Sequence, residues 1–497
     1  MDLLIAADPG AEALVDVAGT TVDYAGLTDQ VATLAGQLAA LGIGPGDRVA
    51  IVLPNGLPMA AAFLAVAVTA SAAPLNPLYR ESELAFYLGD LDVAACITDP
   101  TTAEAVRTAS PSSALQLQLI RSDAGFRFVV DGQPVRSGSA RFGAVTDEAL
   151  VLHTSGTTSR PKMVSLTQAN LLASVRNVAD TLQLAPTDRC LNVMPLFHIH
   201  GLVAALLATL GTGGSVVCTG GFDAFKYFDW VGRLRPTWST AVPTVYQMIA
   251  ARLERGAEVP ESHGLRFLRS SSAPLPPSLQ LEIERRVGVP LVEAYGMTEA
   301  AHQIACNPLP PGVRRPGSVG KPTGAEVRVV DEDGQDVPTG VIGEVAVRGE
   351  NVTSGYAANQ EANAAAFFDG WFRTGDEGRF EDDGYLVLTG RIKEIINRGG
   401  EKISPREIDE ALLDHPAVAS AVAFAIPHKW LGETVGAAIV LEEGASTEAR
   451  ELRLHVSDRL APFKLPEQIV FVSEIPKGPT GKLQRIGLAE RLGIGAG

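Results

Sequence analysis

The sequence predicts an α/β protein in which helices cover largely parallel sheets. Short apolar runs alternate with segments whose apolar residues repeat at helical spacing, as strands and helices do in this class. Residues 149–152 read as a buried strand, and a helix is predicted from about Gln168 with Thr167 as its N-cap. A polar loop separates this strand from this helix, so we expect a strand–loop–helix unit.

The pattern changes after residue 320, where short alternating segments with turn signals begin. Residues 327–330 and 344–347 alternate as strands do, and the acidic, glycine-containing stretch 331–334 lies between them as a turn. We therefore predict a β-rich subdomain that completes a large N-terminal domain of helices packed on sheets.

A third pattern follows Gly390. Ser404, Pro405 and Glu407 occupy the N-cap, N1 and N3 positions of a predicted helix that continues through Leu413. A strand is predicted over residues 418–425. These elements predict a small α+β C-terminal domain, and we place the domains at residues 1–390 and 391–497.

Composition excludes several classes of protein. The chain has 497 residues, of which 46% are hydrophobic, so it can bury sizeable cores and is not mainly disordered. Its 41 basic and 57 acidic side chains give a net charge of −16, which opposes binding to nucleic acid or an anionic membrane. We expect neither as a partner, and the sequence does not indicate an oligomeric state.

The N-terminus and the cysteines indicate a reducing, cytoplasmic location. The four cysteines lack CxxC spacing, which favours buried thiols over disulfides or a zinc site. The first residues lack the basic segment of a secretory signal. Residues 59–73 are apolar but shorter than the ~20 residues that a membrane span requires, so we predict a buried helix and no integral span.

A polar loop at residues 154–162 has the composition of a phosphate-binding site. Its hydroxyls, its backbone amides and the cations Arg160 and Lys162 suit a polyphosphate. It is not a Walker A loop, because Pro161 stands where that motif has glycine before lysine. Taken alone, the loop could also be a polar surface turn.

Four further motifs follow in order, at residues 293–299, 372–376, 390–394 and 479–482. With the loop, they resemble the adenylate-forming superfamily of acyl-CoA synthetases, luciferases and peptide-synthetase adenylation domains, along essentially the whole chain. The resemblance implies an enzyme that couples a carboxylic acid to ATP, releases pyrophosphate, and transfers the acyl-adenylate to a thiol. It implies ATP, Mg²⁺ and coenzyme A as cofactors or co-substrates.

The resemblance also implies residues that hold the nucleotide. Those expected at the phosphates are Thr154, Ser155, Gly156, Thr157, Thr158, Lys162 and Thr298; at adenine, Ser272, Ala273, Pro274, Glu293, Ala294 and Tyr295; at the ribose, Asp376 and Arg391. Glu299 is the implied Mg²⁺ ligand, since a hard cation prefers oxygen ligands. Without the other motifs, Glu299 would read as a solvated acid and Asp376 as a turn residue.

Lys482 resembles the catalytic lysine of the superfamily. Its ammonium would bridge the attacking carboxylate and the α-phosphate, two anions that otherwise repel each other. Gly399 and Gly400 resemble the loop that lines the pantetheine tunnel, where a Cβ would obstruct a thin substrate. The resemblance implies a mobile C-terminal domain that rotates between the two half-reactions. This rotation would move Lys482 out of the active site and bring Gly400 into it.

The identity of the acid depends on a polar set of residues. His198 resembles the gating aromatic of the superfamily, and His200, Ser272 and His302 lie in the stretches that form its acyl pocket. A metal site at His198 and His200 is disfavoured because no third ligand stands at a recognisable spacing. All three pocket residues can hydrogen-bond, whereas a fatty-acyl pocket would be apolar.

The amino-acid sequences of these motifs are most similar to those of oxalate-CoA ligases. Malonyl-CoA synthetases carry arginine where this chain has Ala294, and Met163 departs from the usual glycine after the loop lysine. We therefore expect an oxalate-CoA ligase. The alternatives are a medium- or long-chain fatty-acyl-CoA ligase, an enzyme that loads a carrier protein, and a nucleotide-binding regulatory protein.

Overall fold

A computed structural model describes residues 2–122, 125–154, 161–476 and 485–494 of the chain. The predicted α/β class is confirmed: a large N-terminal part of sheets and helices is followed by a small C-terminal part. The C-terminal part has its own apolar cores, formed by residues from Ile396 onward. The predicted boundary between residues 390 and 391 stays a prediction.

The sheet that positions most of the site is mainly parallel. Its strands lie in the order Lys321–Pro322, His302–Cys306, Leu291–Met297, Phe267–Ser270, Trp238–Ala241, Arg189–Asn192, Ser215–Cys218, Glu12–Asp16 and Thr21–Asp23. The central strands are buried along their whole length, as expected for a sheet covered on both faces.

A second sheet packs in the same N-terminal part. Its order is Lys162–Thr167, Glu148–Thr154, Ser71–Pro74, Arg48–Val52, Ala95–Thr98, Leu115–Ser122, Gly125–Val130 and Gln133–Pro134. Here the strand–loop–helix expectation is wrong. The polar loop is followed by a second strand that pairs antiparallel with the first, with Lys162 opposite Thr154. Met163 packs in one apolar core, whereas Val164 and Leu166 pack in another, so both faces of this strand are covered.

The β-rich subdomain predicted after residue 320 is also present. Its strands are Glu326–Val330, Gly343–Arg348, Trp371–Phe380, Phe367–Phe368 and Leu386–Arg391. The C-terminal sheet orders Glu401–Ile403, Ile396–Arg398, Gly432–Leu441, Val418–His428 and, beside Gly432–Leu441, Gln468–Phe471.

Helices cover these sheets. They are Asp2–Ile5, Tyr24–Ala40, Leu57–Ala67, Glu81–Leu91, Ala103–Ala109, Gln168–Leu182, Ala208–Leu210, Tyr227–Leu234, Pro243–Glu254, Pro277–Val287, Gln360–Ala366, Pro405–Leu413, Ala449–Ser457 and Leu488–Arg491, with a π-helical segment at His200–Leu207. Over the residues that the structure describes, no helix has the length and apolar character needed to cross a bilayer.

Three local predictions have different outcomes. The Thr167 cap is confirmed, because its side chain accepts from the Asn170 amide. The predicted helix over residues 59–73 ends at Ala67, and Ser71–Pro74 is a buried strand. Ser404 precedes the predicted helix, but its hydroxyl donates to the Thr389 carbonyl and does not cap the helix.

Candidate active site

Two adjoining cavities lie where the ordered motifs converge. The first has a volume of about 310 Å³ and the second about 360 Å³. Ser272, Gly296 and Arg391 line both cavities, so the two spaces share a wall. A Cβ on Gly296 would lie 1.7 Å from the His302 carbonyl oxygen, which explains why glycine occupies this position in the shared wall.

Asp376 is held by residues from two other motifs. Its Oδ2 accepts a 2.6 Å hydrogen bond from the Tyr295 hydroxyl, and its Oδ1 accepts a 2.7 Å bond from Nε of Arg391. Asp376 and Arg391 face each other because their strands pair in that register. The neighbouring carboxylate raises the pKa of Arg391 above its ordinary value. The structure thus brings together three of the residues expected near the nucleoside.

Glu293 occupies the first cavity as a buried acid. Its Oε1 accepts a 3.1 Å bond from the Leu275 amide, whereas its Oε2 has no hydrogen-bond partner among the described residues. Burial raises the pKa of Glu293 to about 7. Ala273, Pro274 and Ala294 line the same space, so the residues expected around adenine do meet there.

Glu299 and Lys162 line the second cavity with Tyr356 between them. The Tyr356 hydroxyl donates to Oε1 of Glu299 at 3.0 Å, and Nζ of Lys162 lies 4.3 Å from the Tyr356 ring centroid. Burial raises the pKa of Glu299. Burial also lowers the pKa of Lys162, and Lys393 nearby lowers it further. The negative charge of a bound phosphate chain would raise the pKa of Lys162 and so offset the lowering by burial and by Lys393.

The residues around Glu299 fit a magnesium site. Its carboxylate and the Thr298 hydroxyl offer hard oxygen atoms in the second cavity. No cluster of three or more acidic, histidine or cysteine side chains suited to a metal occurs in the described ranges. A carboxylate beside a hydroxyl suits Mg²⁺ that is bound mainly by substrate phosphates.

The histidines and Ser272 also come together. His200 Nδ1 lies 3.2 Å from Ser272 Oγ, and the His200 and His302 ring centroids are 5.0 Å apart. His198 accepts a 3.3 Å bond at Nδ1 from the His200 amide and lines the second cavity with His302. Ser272 and His302 have φ values of 73° and 107°, strained conformations that are typical of functional sites.

Two residues in this region were missed by sequence reasoning. Tyr356 contacts both Glu299 and Lys162, as described above. Arg269 lies fully buried on the strand Phe267–Ser270 and contacts both His200 and His302. A charged residue within an otherwise apolar strand segment was the available signal for Arg269, whereas no comparable signal marked Tyr356.

Several expected site residues lie outside the described residues: Ser155, Gly156, Thr157, Thr158 and Lys482. Thr154 and Lys162, at the two ends of the loop, face each other across the hairpin. Gly399 and Gly400 form the turn between Ile396–Arg398 and Glu401–Ile403, with φ values of 62° and 97°. Neither glycine is among the described residues that line the two cavities.

Comparison with known proteins supports this arrangement. The model of the AMP-binding enzyme family matches residues 4–357, and the model of the AMP-binding enzyme C-terminal domain matches residues 407–482. An oxalate-CoA ligase from Arabidopsis thaliana is 44% identical over 455 residues, which cover 89% of this chain and 88% of the relative. A sulfoacetate-CoA ligase from Cupriavidus necator is 39% identical, with coverage of 90% and 88%.

Solved structures show the same fold. The crystal structure of ATP-bound MatB from Rhodopseudomonas palustris has a TM-score of 0.86 and 29% sequence identity, and the alignment covers 97% of this chain and 96% of that one. The chain therefore belongs to the AMP-binding enzyme family, within which it is an ATP-dependent acid-CoA ligase.

Proposed function

We propose that this ligase activates a small acid that carries a second anionic group, with oxalate as the preferred acid. The observation that carries the proposal is a polar cluster in which Ser272 and His302 line the second cavity and His200 contacts both of them. One carboxylate of the acid must attack phosphorus, so the other enters the pocket charged. A buried carboxylate requires such hydrogen-bonding partners, which a lipid tail would not use.

Two similar proteins support this choice of acid. Oxalate and sulfoacetate, named for the relatives at 44% and 39% identity, are both two-carbon acids with a second anionic group. Because these two relatives are named for different acids, sequence identity alone does not select oxalate as the substrate. The choice rests on the small polar pocket.

For the first half-reaction, we assign the nucleotide contacts to the two cavities. Adenine lies beside Glu293 and Tyr295, the ribose hydroxyls donate to Asp376, and the phosphates lie between the 154–162 loop and Glu299. A carboxylate oxygen of the acid attacks the α-phosphorus, the bond to the bridging oxygen breaks, and pyrophosphate leaves. Magnesium held at Glu299 would neutralise charge on that leaving group. Lys482 would bridge the two reacting anions.

For the second half-reaction, the C-terminal domain, residues 391–497, would rotate about the segment after Gly390. The coenzyme A thiolate attacks the acyl carbon of the adenylate, and AMP leaves. Gly399 and Gly400 would then line the passage for pantetheine, and His198 would gate it. Arg391 remains near the ribose through its contact with Asp376 in the conformation described here.

A carboxylic-acid panel tests the proposal. Oxalate, malonate, acetate and octanoate are compared by ATP–pyrophosphate exchange, and acyl-CoA is identified by mass spectrometry. We expect oxalate to give the highest kcat/KM. The highest value for octanoate would replace oxalate with a fatty acid. Exchange without acyl-CoA would favour carrier-protein loading, and absence of exchange with any acid would favour a regulatory nucleotide-binding role.

A further inference from the structure

Arg269 is a buried cation without an acidic counterpart among the described residues. Its side chain is fully buried, yet no carboxylate contacts it in the described ranges. One terminal nitrogen donates to Gln303 Oε1 at 2.9 Å, and the other lies 3.3 Å from Thr240 Oγ1. Its Nε has no hydrogen-bond partner in the described parts of the chain. A buried charge of this kind is costly unless an anion compensates it.

The other groups that face Arg269 do not supply that anion at neutral pH. They are the Cys306 and Cys190 thiols and the Tyr246 phenol. Burial raises the pKa of Cys306 to about 11, and it raises the pKa of Cys190 and of Tyr246 further. All three therefore stay protonated, and the charge of Arg269 remains available to a bound anion.

The two imidazoles connect Arg269 to the acid pocket. Its terminal nitrogens lie 3.5 Å from His200 Nε2 and 3.5 Å from His302 Nδ1. Guanidinium has only donors, so a ring nitrogen that bonds to Arg269 does so as an acceptor. Nε2 of His200 also lies 2.6 Å from Thr240 Oγ1, a hydroxyl that can donate to it. Nδ1 of His200 faces Ser272, and Ser272 and His302 both line the second cavity.

We propose that Arg269 is the positioning residue that gives the acid pocket its permanent positive charge, and that it orients the His200 and His302 rings beside the second anionic group of the acid. This inference rests on the proposed function, since it names what recognises the distal group. Recognition by arginine also differs from recognition by a protonated histidine, because the charge of arginine does not change between pH 6 and 8.5.

The test compares oxalate with oxamate, a neutral-tailed acid of nearly the same shape. The ratio of their kcat/KM values reports recognition of the distal charge. Arg269→Met should lower this ratio at pH 8 by about 10- to 100-fold, the lower part of the range for loss of a buried charge partner. Arg269→Lys should retain more of the ratio.

Lys393→Met is the matched control, since it removes another cation that lines the second cavity. It should leave the oxalate-to-oxamate ratio unchanged, and a larger effect than that of Arg269→Met would assign charge recognition to Lys393. Equal losses for both acids in Arg269→Met would show that Arg269 only supports the fold.

The unaltered enzyme gives an independent test if Arg269→Met does not fold. Its oxalate-to-oxamate ratio should stay constant from pH 6 to 8.5. A ratio that falls about tenfold per pH unit above pH 7 would show that a protonated histidine supplies the charge. Failure of the proposed function is distinguishable, because the unaltered enzyme would then prefer octanoate or acetate to oxalate in the acid panel.

Discussion

The Tyr356 hydroxyl donates a 3.0 Å hydrogen bond to Oε1 of Glu299, deep in the second cavity. Burial raises the pKa of Glu299, whereas this hydrogen bond lowers it. Tyr356 therefore helps to keep Glu299 ionised before any cation arrives. The same ring lies under the ammonium of Lys162, so one side chain orients two residues of different motifs.

Replacing Tyr356 by Phe should weaken magnesium dependence without abolishing the reaction. Hydrogen bonds to charged groups contribute about 1.5–3 kcal/mol, so we expect ATP–pyrophosphate exchange at limiting Mg²⁺ to fall about 10- to 100-fold. High Mg²⁺ should restore much of the rate by mass action. A Mg²⁺ titration of the exchange rate measures both effects.

Tyr385→Phe is the control for that variant. It also removes a hydroxyl that donates to a carbonyl, that of Val313, but Tyr385 does not line either cavity. The Mg²⁺ titration should match that of the unaltered enzyme. Identical curves for Tyr356→Phe and the unaltered enzyme would show that Tyr356 does not support Glu299.

Lys482→Ala should separate the two half-reactions. Loss of one charge contact in the transition state costs about 2.7–4 kcal/mol by analogy with an oxyanion donor, so adenylate formation should fall ~100- to 1,000-fold. Thioester formation from supplied acyl-adenylate should be nearly unchanged. Both rates are measured on the same preparation, and equal losses would mean that Lys482 has a structural role.

Gly400→Leu should give the opposite separation. The added side chain would obstruct the proposed thiol passage, so exchange should continue while acyl-CoA formation stops. The control is Gly444→Leu, because both glycines are exposed, have positive φ and have no atom within 4 Å of an added Cβ. Loss of exchange in folded Gly400→Leu would exclude a separate second site.

His302→Ala should impair oxalate more than any monocarboxylate. Loss of a hydrogen bond to a charged group costs about 1.5–3 kcal/mol, so kcat/KM for oxalate should fall roughly 10- to 150-fold. His263→Ala, outside both cavities, is the control. Equal losses for oxalate and acetate would show that His302 packs beside Glu299 without selecting the acid.

Glu293 should make stability depend on pH. Its pKa is about 7 in the folded protein against 4.5 for the ordinary side chain, so the folded state binds more protons between these values. The contribution of Glu293 to the free energy of unfolding is complete below pH 4.5 and is lost as the pH rises to about 7. It amounts to at most about 3 kcal/mol. Glu293→Gln should therefore gain stability relative to the unaltered protein at pH 8 but not at pH 4.5. Urea unfolding at both pH values measures this, and equal differences would contradict it.

Local patterns predicted much of the fold. Uninterrupted apolar runs indicated the buried parallel strands, and the Thr167 cap placed one helix start within a residue. The strand after Lys162 was missed because its six residues carry few turn or periodicity signals. Ser404 has the identity of a cap, but tertiary structure offers its hydroxyl the Thr389 carbonyl instead. Propensity cannot anticipate such a long-range partner.

The site shows the same limit. The family resemblance implied that Tyr295, Asp376 and Arg391 belong to one nucleotide site. Their contacts depend on strand register, which single-sequence reasoning does not give. Arg269 became interpretable only when its neighbours were known, since Thr240, His200 and Gln303 come from three separate elements. Its burial, and not its identity, indicates a role.

The buried cysteines have a practical consequence for following the reaction. Cys96, Cys190, Cys218 and Cys306 are the four cysteines of the chain; all lie in the interior, and burial raises the pKa of each thiol. Reagents that attack thiolates should therefore react with coenzyme A in solution and leave the folded enzyme untouched. A colorimetric thiol reagent can then report consumption of coenzyme A even at high enzyme concentration, and a delayed rise in colour would mark the moment at which the protein unfolds.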